Sequence, residues 1–260
     1  MSLQAFQIMI SEQYLIDVKL KRDEVVSFNE YPFYLNAIRQ LNILKLHPAV
    51  TFIIGENGSG KSTLLEAIAV AWGFNPEGGT KNFAFSTHRS HSDLYRFLRL
   101  SRGVMRPRDG FFLRAESFFN VATEIQKLDD EPGFGPPIIN SYGGKSLHAQ
   151  SHGESFFSLF SNRFGGHGLY ILDEPEAALS PTRQMAMLTR MHQLVQEKSQ
   201  FIIATHSPII MAYPNALILQ LDPEEGPVPI KYEDTEHFRV MRDFLKRPDY
   251  FLNILLDDGI

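Results

Sequence analysis

The stretch Gly55-Glu56-Asn57-Gly58-Ser59-Gly60-Lys61-Ser62-Thr63 limits what this chain can fold into more than any other. It satisfies G-x-x-x-x-G-K-[ST], the pattern of a loop that cradles phosphates. Before it, Val50-Thr51-Phe52-Ile53-Ile54 is a β-branched and aromatic run, which predicts a buried strand. After it, Leu64-Leu65-Glu66-Ala67-Ile68-Ala69-Val70-Ala71 predicts a helix. Glycines in such a loop let the backbone curl so that its N–H groups face an anion, and the helix N-terminus adds partial positive charge. In that frame Asn57, Gly58, Ser59, Gly60 and Thr63 line the cradle, and Lys61 reaches the β- and γ-phosphates. The Ser62 hydroxyl takes a Mg²⁺ position.

Composition narrows the setting. With 260 residues and 43% hydrophobic content the chain can bury a sizeable core, as one large domain or one domain plus a lobe. A net charge of −5 argues against a surface built throughout for nucleic acid, though a local basic patch stays open. There is no cysteine, so disulfides, thiolate zinc sites and cysteine nucleophiles are excluded, and a reducing cytoplasm is the expected setting. The first residues lack a signal-peptide pattern and no run approaches the length of a membrane span. Any membrane role is expected to come through a partner, without direct insertion.

Upstream of the loop, Leu15-Ile16-Asp17-Val18-Lys19-Leu20 alternates and predicts an edge strand. Tyr31, Phe33 and Tyr34 offer either a purine-stacking face, with Tyr31 the best placed, or ordinary packing. Downstream, residues 81–114 hold Lys81, Arg89, Arg96, Arg99, Arg102, Arg106, Arg108 and Arg114 against only Asp93 and Asp109. Residues 92–101 read as a helix with Arg96, Arg99 and Arg102 along one side. That face is a phosphate or nucleic-acid contact, a solvated surface, or an interface to an acidic partner. Residues 110–115 read as a core strand and 121–128 as a helix, with an exposed acidic, Pro/Gly-rich loop over 129–137.

The second half supplies carboxylates and a histidine. Ser151-His152-Gly153-Glu154-Ser155 opens a helix. Gly168-Leu169-Tyr170-Ile171-Leu172-Asp173-Glu174-Pro175 is an apolar strand ending in two acids. Ser180-Pro181 begins a helix in N-cap/N1 order. Phe201-Ile202-Ile203-Ala204-Thr205-His206 is another buried strand, 216–221 one more, and 233–256 a helical pair interrupted at Pro248. Beside a phosphate loop, Asp173 is placed to hold Mg²⁺ and Glu174 to polarise an attacking water. His206 either hydrogen-bonds a γ-phosphate or has a structural role.

The order of segments 55–63, 151–155, 172–175, 178–180 and 205–208 resembles an ABC-type ATPase domain. The likeness runs over about 15–225, to the soluble AAA-family branch related to recombination-repair and chromosome-maintenance ATPases. It implies an α/β P-loop NTPase fold with a mostly parallel central sheet, flanking helices, a small antiparallel β lobe, a helical and signature insertion over about 81–165, and a C-terminal helical extension over 226–260. It implies ATP and Mg²⁺ as ligands, catalytic roles for Lys61, Glu174 and His206, and a head-to-tail, ATP-dependent homodimer. Ser151 and Gly153 then complete the neighbour's nucleotide site, although His152 and Glu154 depart from the usual Leu-Ser-Gly-Gly-Gln. Three residues after Ser151, Glu154 also fits a helix-capping acid. The inter-subunit loop ends in Ser180 instead of aspartate, and Glu116 stands nearest to the family's glutamine as a third metal candidate. The expected function is Mg²⁺-dependent ATP hydrolysis driving dimer closure in a nucleic-acid, defence or repair role. Its rivals are the nucleotide-binding subunit of a membrane transporter and a non-catalytic ATP-binding switch or scaffold.

Overall fold

The computed structural model describes residues 13–80, 92–130 and 136–256. Near the N-terminus, strands β1 (Leu15–Leu20), β2 (Ile43–Lys45) and β4 (Leu98–Arg102) form an antiparallel sheet of order β2-β1-β4. β1 is therefore its middle strand, not the edge strand expected. Its alternation reflects one face turned to the core and one away, which a central antiparallel strand also produces.

The expected helix over 92–101 is not formed. Asp93–Phe97 is a short 3-10 turn, and Leu98-Arg99-Leu100-Ser101-Arg102 continues as β4, paired residue by residue with β1. Leu98 and Leu100 alternate with Arg99 and Ser101, and pairing with a distant strand outweighs the three-residue arginine spacing. Arg96, Arg99 and Arg102 consequently do not share a helix face. Lys81 and Arg89, and residues 131–135 of the expected acidic loop, lie outside the described residues.

The second sheet has six strands: β3 (Val50–Ile54), β5 (Asp109–Arg114), β6 (Gly168–Asp173), β7 (Gln200–Ala204), β8 (Leu217–Asp222) and β9 (Gly226–Pro229). Its order is β5-β6-β7-β3-β8-β9, parallel except for the antiparallel edge strand β9. Strands β3, β6 and β7 are buried along their whole length, as contiguous apolar runs in a parallel sheet require.

Alternate side chains feed two cores. Phe52, Phe111, Tyr170, Leu172, Phe201 and Ile203 face one side. There they meet helices α3 (Phe118–Asp130), α4 (His152–Ser158) and α5 (Pro181–Gln196). Ile53, Phe112, Ile171, Ile202 and Ala204 face the other, against helices α1 (Asn36–Arg39) and α2 (Lys61–Trp72) and the antiparallel sheet. Among the described residues of the segment expected to be inserted over 81–165, the α-helices begin at Phe118, after β4 and β5.

One buried side chain joins the two sheets. Gln200, at the start of β7, accepts from the backbone N–H of Tyr14 (3.2 Å) and of Leu15 (2.9 Å). Its amide donates to the carbonyls of Leu15 (2.8 Å) and His47 (3.0 Å). At the other end of the chain, helix α7 (Glu236–Lys246) begins at Thr235, whose hydroxyl accepts from Phe238 N, and Pro248 opens helix α8 (Pro248–Leu256).

Candidate functional site

Strands β5, β6, β7 and β3 are neighbours, and the loops leaving their C-terminal ends lie side by side. Parallel α/β sheets place ligands at this edge. After β3 the chain turns through Gly58 (φ +78°) and Gly60 (φ +100°) into α2. Inside the loop, Lys61 Nζ donates to the carbonyls of Gly55 (2.8 Å) and Glu56 (2.9 Å). Burial holds the Lys61 pKa below its ordinary value, against the pull of Glu174, Asp173 and Glu176. The buried Ser59 hydroxyl has no hydrogen-bond partner among the described residues. A buried donor of this kind suits an acceptor such as a phosphate oxygen.

Ser62 Oγ donates to Asp173 Oδ1 at 3.1 Å. Arg114, in register with Asp173 on the next strand, sits 3.9 Å from its carboxylate and also pairs with Glu66 and Glu116. Burial outweighs Arg114 and pushes the Asp173 pKa up to about 7. Mg²⁺ takes oxygen donors about 2.1 Å away in an octahedron, which puts neighbouring donors about 3 Å apart. The Ser62 and Asp173 oxygens fit two such corners. Glu116 is 88% exposed on its side chain and contacts Arg114 instead of Ser62 or Asp173.

Glu174 occupies a left-handed conformation (φ +50°, ψ +53°), unusual for a residue with a side chain and common at functional sites. Its N–H is held by the Ala204 carbonyl at 2.9 Å, and its Oε1 lies 3.8 Å from His206 Nε2. His206 N donates to the Glu176 carboxylate. Burial first, then Lys61 and His237, lower the His206 pKa. Ser207 donates to Gln184 at 2.6 Å and caps the short helix α6 (Pro208–Met211).

Ser151 and Glu154 form a capping box at the start of α4: Ser151 N and Oγ both donate to Glu154 Oε2, at 3.0 and 2.7 Å. Glu154 also approaches Arg183 at 3.7 Å. A Cβ on Gly153 would lie 2.7 Å from the Ala178 carbonyl, so the residue must be glycine for α4 to reach that loop. Ser151 is exposed, and among the described residues it has no hydrogen bond to the loop at Lys61. A cavity of about 800 Å³ opens over Gly55, Glu56, Asn57 and Gly58, with His206 and His237 in its wall.

Two family models match this chain: one described as "AAA domain" over residues 27–105, the other as "AAA domain, putative AbiEii toxin, Type IV TA system" over 149–212. The first spans the phosphate loop, and the second spans Ser151, Asp173, Glu174 and His206. The chain resembles P-loop domains of the ABC-ATPase type. A "Putative ABC transporter ATP-binding protein" of Caldanaerobacter subterraneus subsp. tengcongensis is 29% identical over 172 residues, covering 60% of this chain and 68% of that protein. The ABC transporter G family member STR2 of Medicago truncatula is 25% identical over 172 residues, 61% of this chain. The match spans only 24% of that plant protein's length. Among solved structures, the SMC head domain from Thermotoga maritima covers 84% of this chain and 100% of that one, at 16% identity and a TM-score of 0.44.

The structure brings together Lys61, Ser62, Asp173, Glu174 and His206, all named from the sequence. Tyr31 reaches the loop's helix, its hydroxyl 3.5 Å from Thr63 Oγ1, and its ring is 56% exposed beside Tyr34. Among the described residues Ser151 and Gly153 have no bond to that cluster, and Glu116 reaches it only through Arg114. Arg114, Glu176 and His237 were missed. A charge at the end of β5 was visible for Arg114, whereas nothing local marks His237, which lies 31 residues from His206.

Proposed function

We propose that the protein binds ATP with Mg²⁺ and hydrolyses it, using the cycle to close and open a pair of its own copies. The observation that carries this reading is the convergence of Lys61, Ser62, Asp173, Glu174 and His206 at the ends of three adjacent strands. Ser59 and the loop amides hold the phosphates, and Lys61 exchanges its two carbonyl partners for phosphate oxygens. Ser62 and Asp173 hold Mg²⁺, which supplies charge neutralisation at the phosphates when bound. Glu174 accepts a proton from a water whose oxygen attacks the γ-phosphorus as the bond to ADP breaks. His206 Nε2 donates to a γ-phosphate oxygen. Tyr31 offers its exposed ring to the base.

The exposed end of α4 with Ser151 and Gly153 would complete the site of a second copy. For that, Ser151 must turn its hydroxyl from Glu154 to the partner's phosphate. The test is steady-state phosphate release with Glu174→Gln as control. Turnover should fall by about 10²- to 10⁴-fold while nucleotide binding persists, and unaltered turnover removes Glu174 from its role. Light scattering of the same variant should register dimers only with ATP and Mg²⁺.

For the cellular role we favour nucleic-acid, defence or repair work in the cytoplasm. Arg99, Arg106 and Arg108 are exposed and have no salt bridge among the described residues, and one family description names a toxin–antitoxin component. A transporter subunit is the second reading, favoured by the names of both protein relatives. Among the described residues no helix is long and apolar enough to cross a membrane, so that role needs a membrane partner, detectable by co-purification from detergent extracts.

A further inference from the structure

His206 does not act alone. Its Nδ1 lies 2.8 Å from Nε2 of His237, the second residue of α7, with ring centroids 5.0 Å apart. Two imidazole nitrogens at that distance share one proton: one ring donates and the other accepts. The remaining nitrogens, His206 Nε2 and His237 Nδ1, are buried and have no hydrogen-bond partner among the described residues.

The neighbours decide the direction. His206 Nε2 faces the Glu174 carboxylate at 3.8 Å. If His206 donated through Nδ1, its Nε2 would point a bare lone pair at that carboxylate and at any anion beyond it. If His237 donates from Nε2, His206 keeps its proton on Nε2, where it meets the carboxylate favourably. The lone nitrogen of His237 stays unpartnered in both cases, so it does not weigh in the choice.

We infer that His237 is a positioning residue: from α7, by donating Nε2–H to His206 Nδ1, it fixes His206 as the Nε2–H tautomer, with that proton aimed at the nucleotide site. The purpose assigned to that proton rests on the hydrolytic reading above. The tautomer itself does not.

Several contacts hold the donor in place. Thr235 is fully buried, donates to the Tyr232 carbonyl at 2.8 Å and caps α7. Tyr232 in turn donates to the Pro208 carbonyl at 2.9 Å, two residues beyond His206, and packs on Phe238 with ring centroids 4.6 Å apart. The start of α7 is therefore tied to the segment whose histidine it orients. Such outer partners of functional histidines set tautomer and ring orientation in the same way.

The experiment compares the full chain with His237→Ala and His237→Gln; the glutamine amide can present a donor near the lost Nε2–H. In ¹⁵N-histidine spectra without nucleotide, with His206→Asn identifying the His206 signals, the parent should give the Nε2–H tautomer. His237→Ala should give a mixture, and His237→Gln should restore the parent pattern. In parallel, kcat for ATP should fall about 10- to 100-fold in His237→Ala, with KM unchanged, and recover in His237→Gln. An unaltered His206 tautomer in a folded His237→Ala protein overturns the inference, as does an Nδ1–H tautomer in the parent. If the parent hydrolyses no ATP, the hydrolytic reading fails while the spectra still decide the role of His237.

Discussion

Asp173→Asn separates what the site costs the fold from what it does. Asp173 is 6% exposed, its carboxylate touches Ser62 and Arg114, and its pKa is pushed up from 3.8 to about 7 by burial. Between those pH values the folded chain keeps a proton that the unfolded chain has released. Stability is therefore fully present below the lower value and is lost as pH rises through the upper one. Three decades of proton affinity, at ~1.4 kcal/mol each, amount to about 4 kcal/mol. An asparagine has no charge to bury and keeps an acceptor for Ser62. Arg114 keeps Glu66 and Glu116 as partners, so the substitution strands no cation. Urea unfolding without nucleotide or divalent cation should find the variant more stable than the parent by about 4 kcal/mol at pH 8 and by almost nothing at pH 4. Adding Mg²⁺ with a slowly hydrolysed ATP analogue should stabilise the parent much more than the variant. Equal stabilities at pH 8, or a difference that grows towards acid, would refute the claim that a buried carboxylate is held there at the fold's expense.

Other perturbations probe other parts of the molecule. Gly60→Ala puts a side chain at φ +100° and a Cβ 3.3 Å from Leu35 and Ala37, so thermal unfolding should register a loss of about 1–3 kcal/mol and calorimetry a loss of nucleotide binding. Gln200→Ala removes four hydrogen bonds to Tyr14, Leu15 and His47; chemical denaturation should give a loss of about 3 kcal/mol or more, with faster amide exchange at Leu15. If the exposed arginines contact nucleic-acid phosphates, Arg106→Glu with Arg108→Glu should abolish binding in a filter assay. For the parent, affinity should fall steeply with salt; a salt-insensitive parent removes that role.

The parts of the fold that were legible in the sequence share a physical trait. Strands β3, β6 and β7 are contiguous apolar runs ending at Gly55, Asp173 and Thr205-His206, and burial on both faces demands such runs. The phosphate loop was legible because its glycines and Lys61 meet local backbone needs. Residues 92–101 misled because arginines three apart suit a helix, while the strand that replaced it depends on β1, about eighty residues earlier. β1 looked like an edge for a related reason: alternation reports burial of one face and is silent about how many neighbours a strand has. His237 left no local trace because its role arises from the way α7 returns to the end of β7. Ser151 and Gly153 were legible as a pattern, yet within one copy they serve to start α4 and pack it against Ala178.

Gln200 bears on how the molecule can deform. Its single amide grips Tyr14, Leu15 and His47, so it rivets the antiparallel sheet to the root of β7. The rivet lies at the opposite end of that strand from His206. A tug on the histidine end therefore travels along a stiff β7 and cannot be absorbed by slippage between the two sheets. Those sheets should turn as one rigid plate, leaving the helices after β5 as the compliant part of the machine.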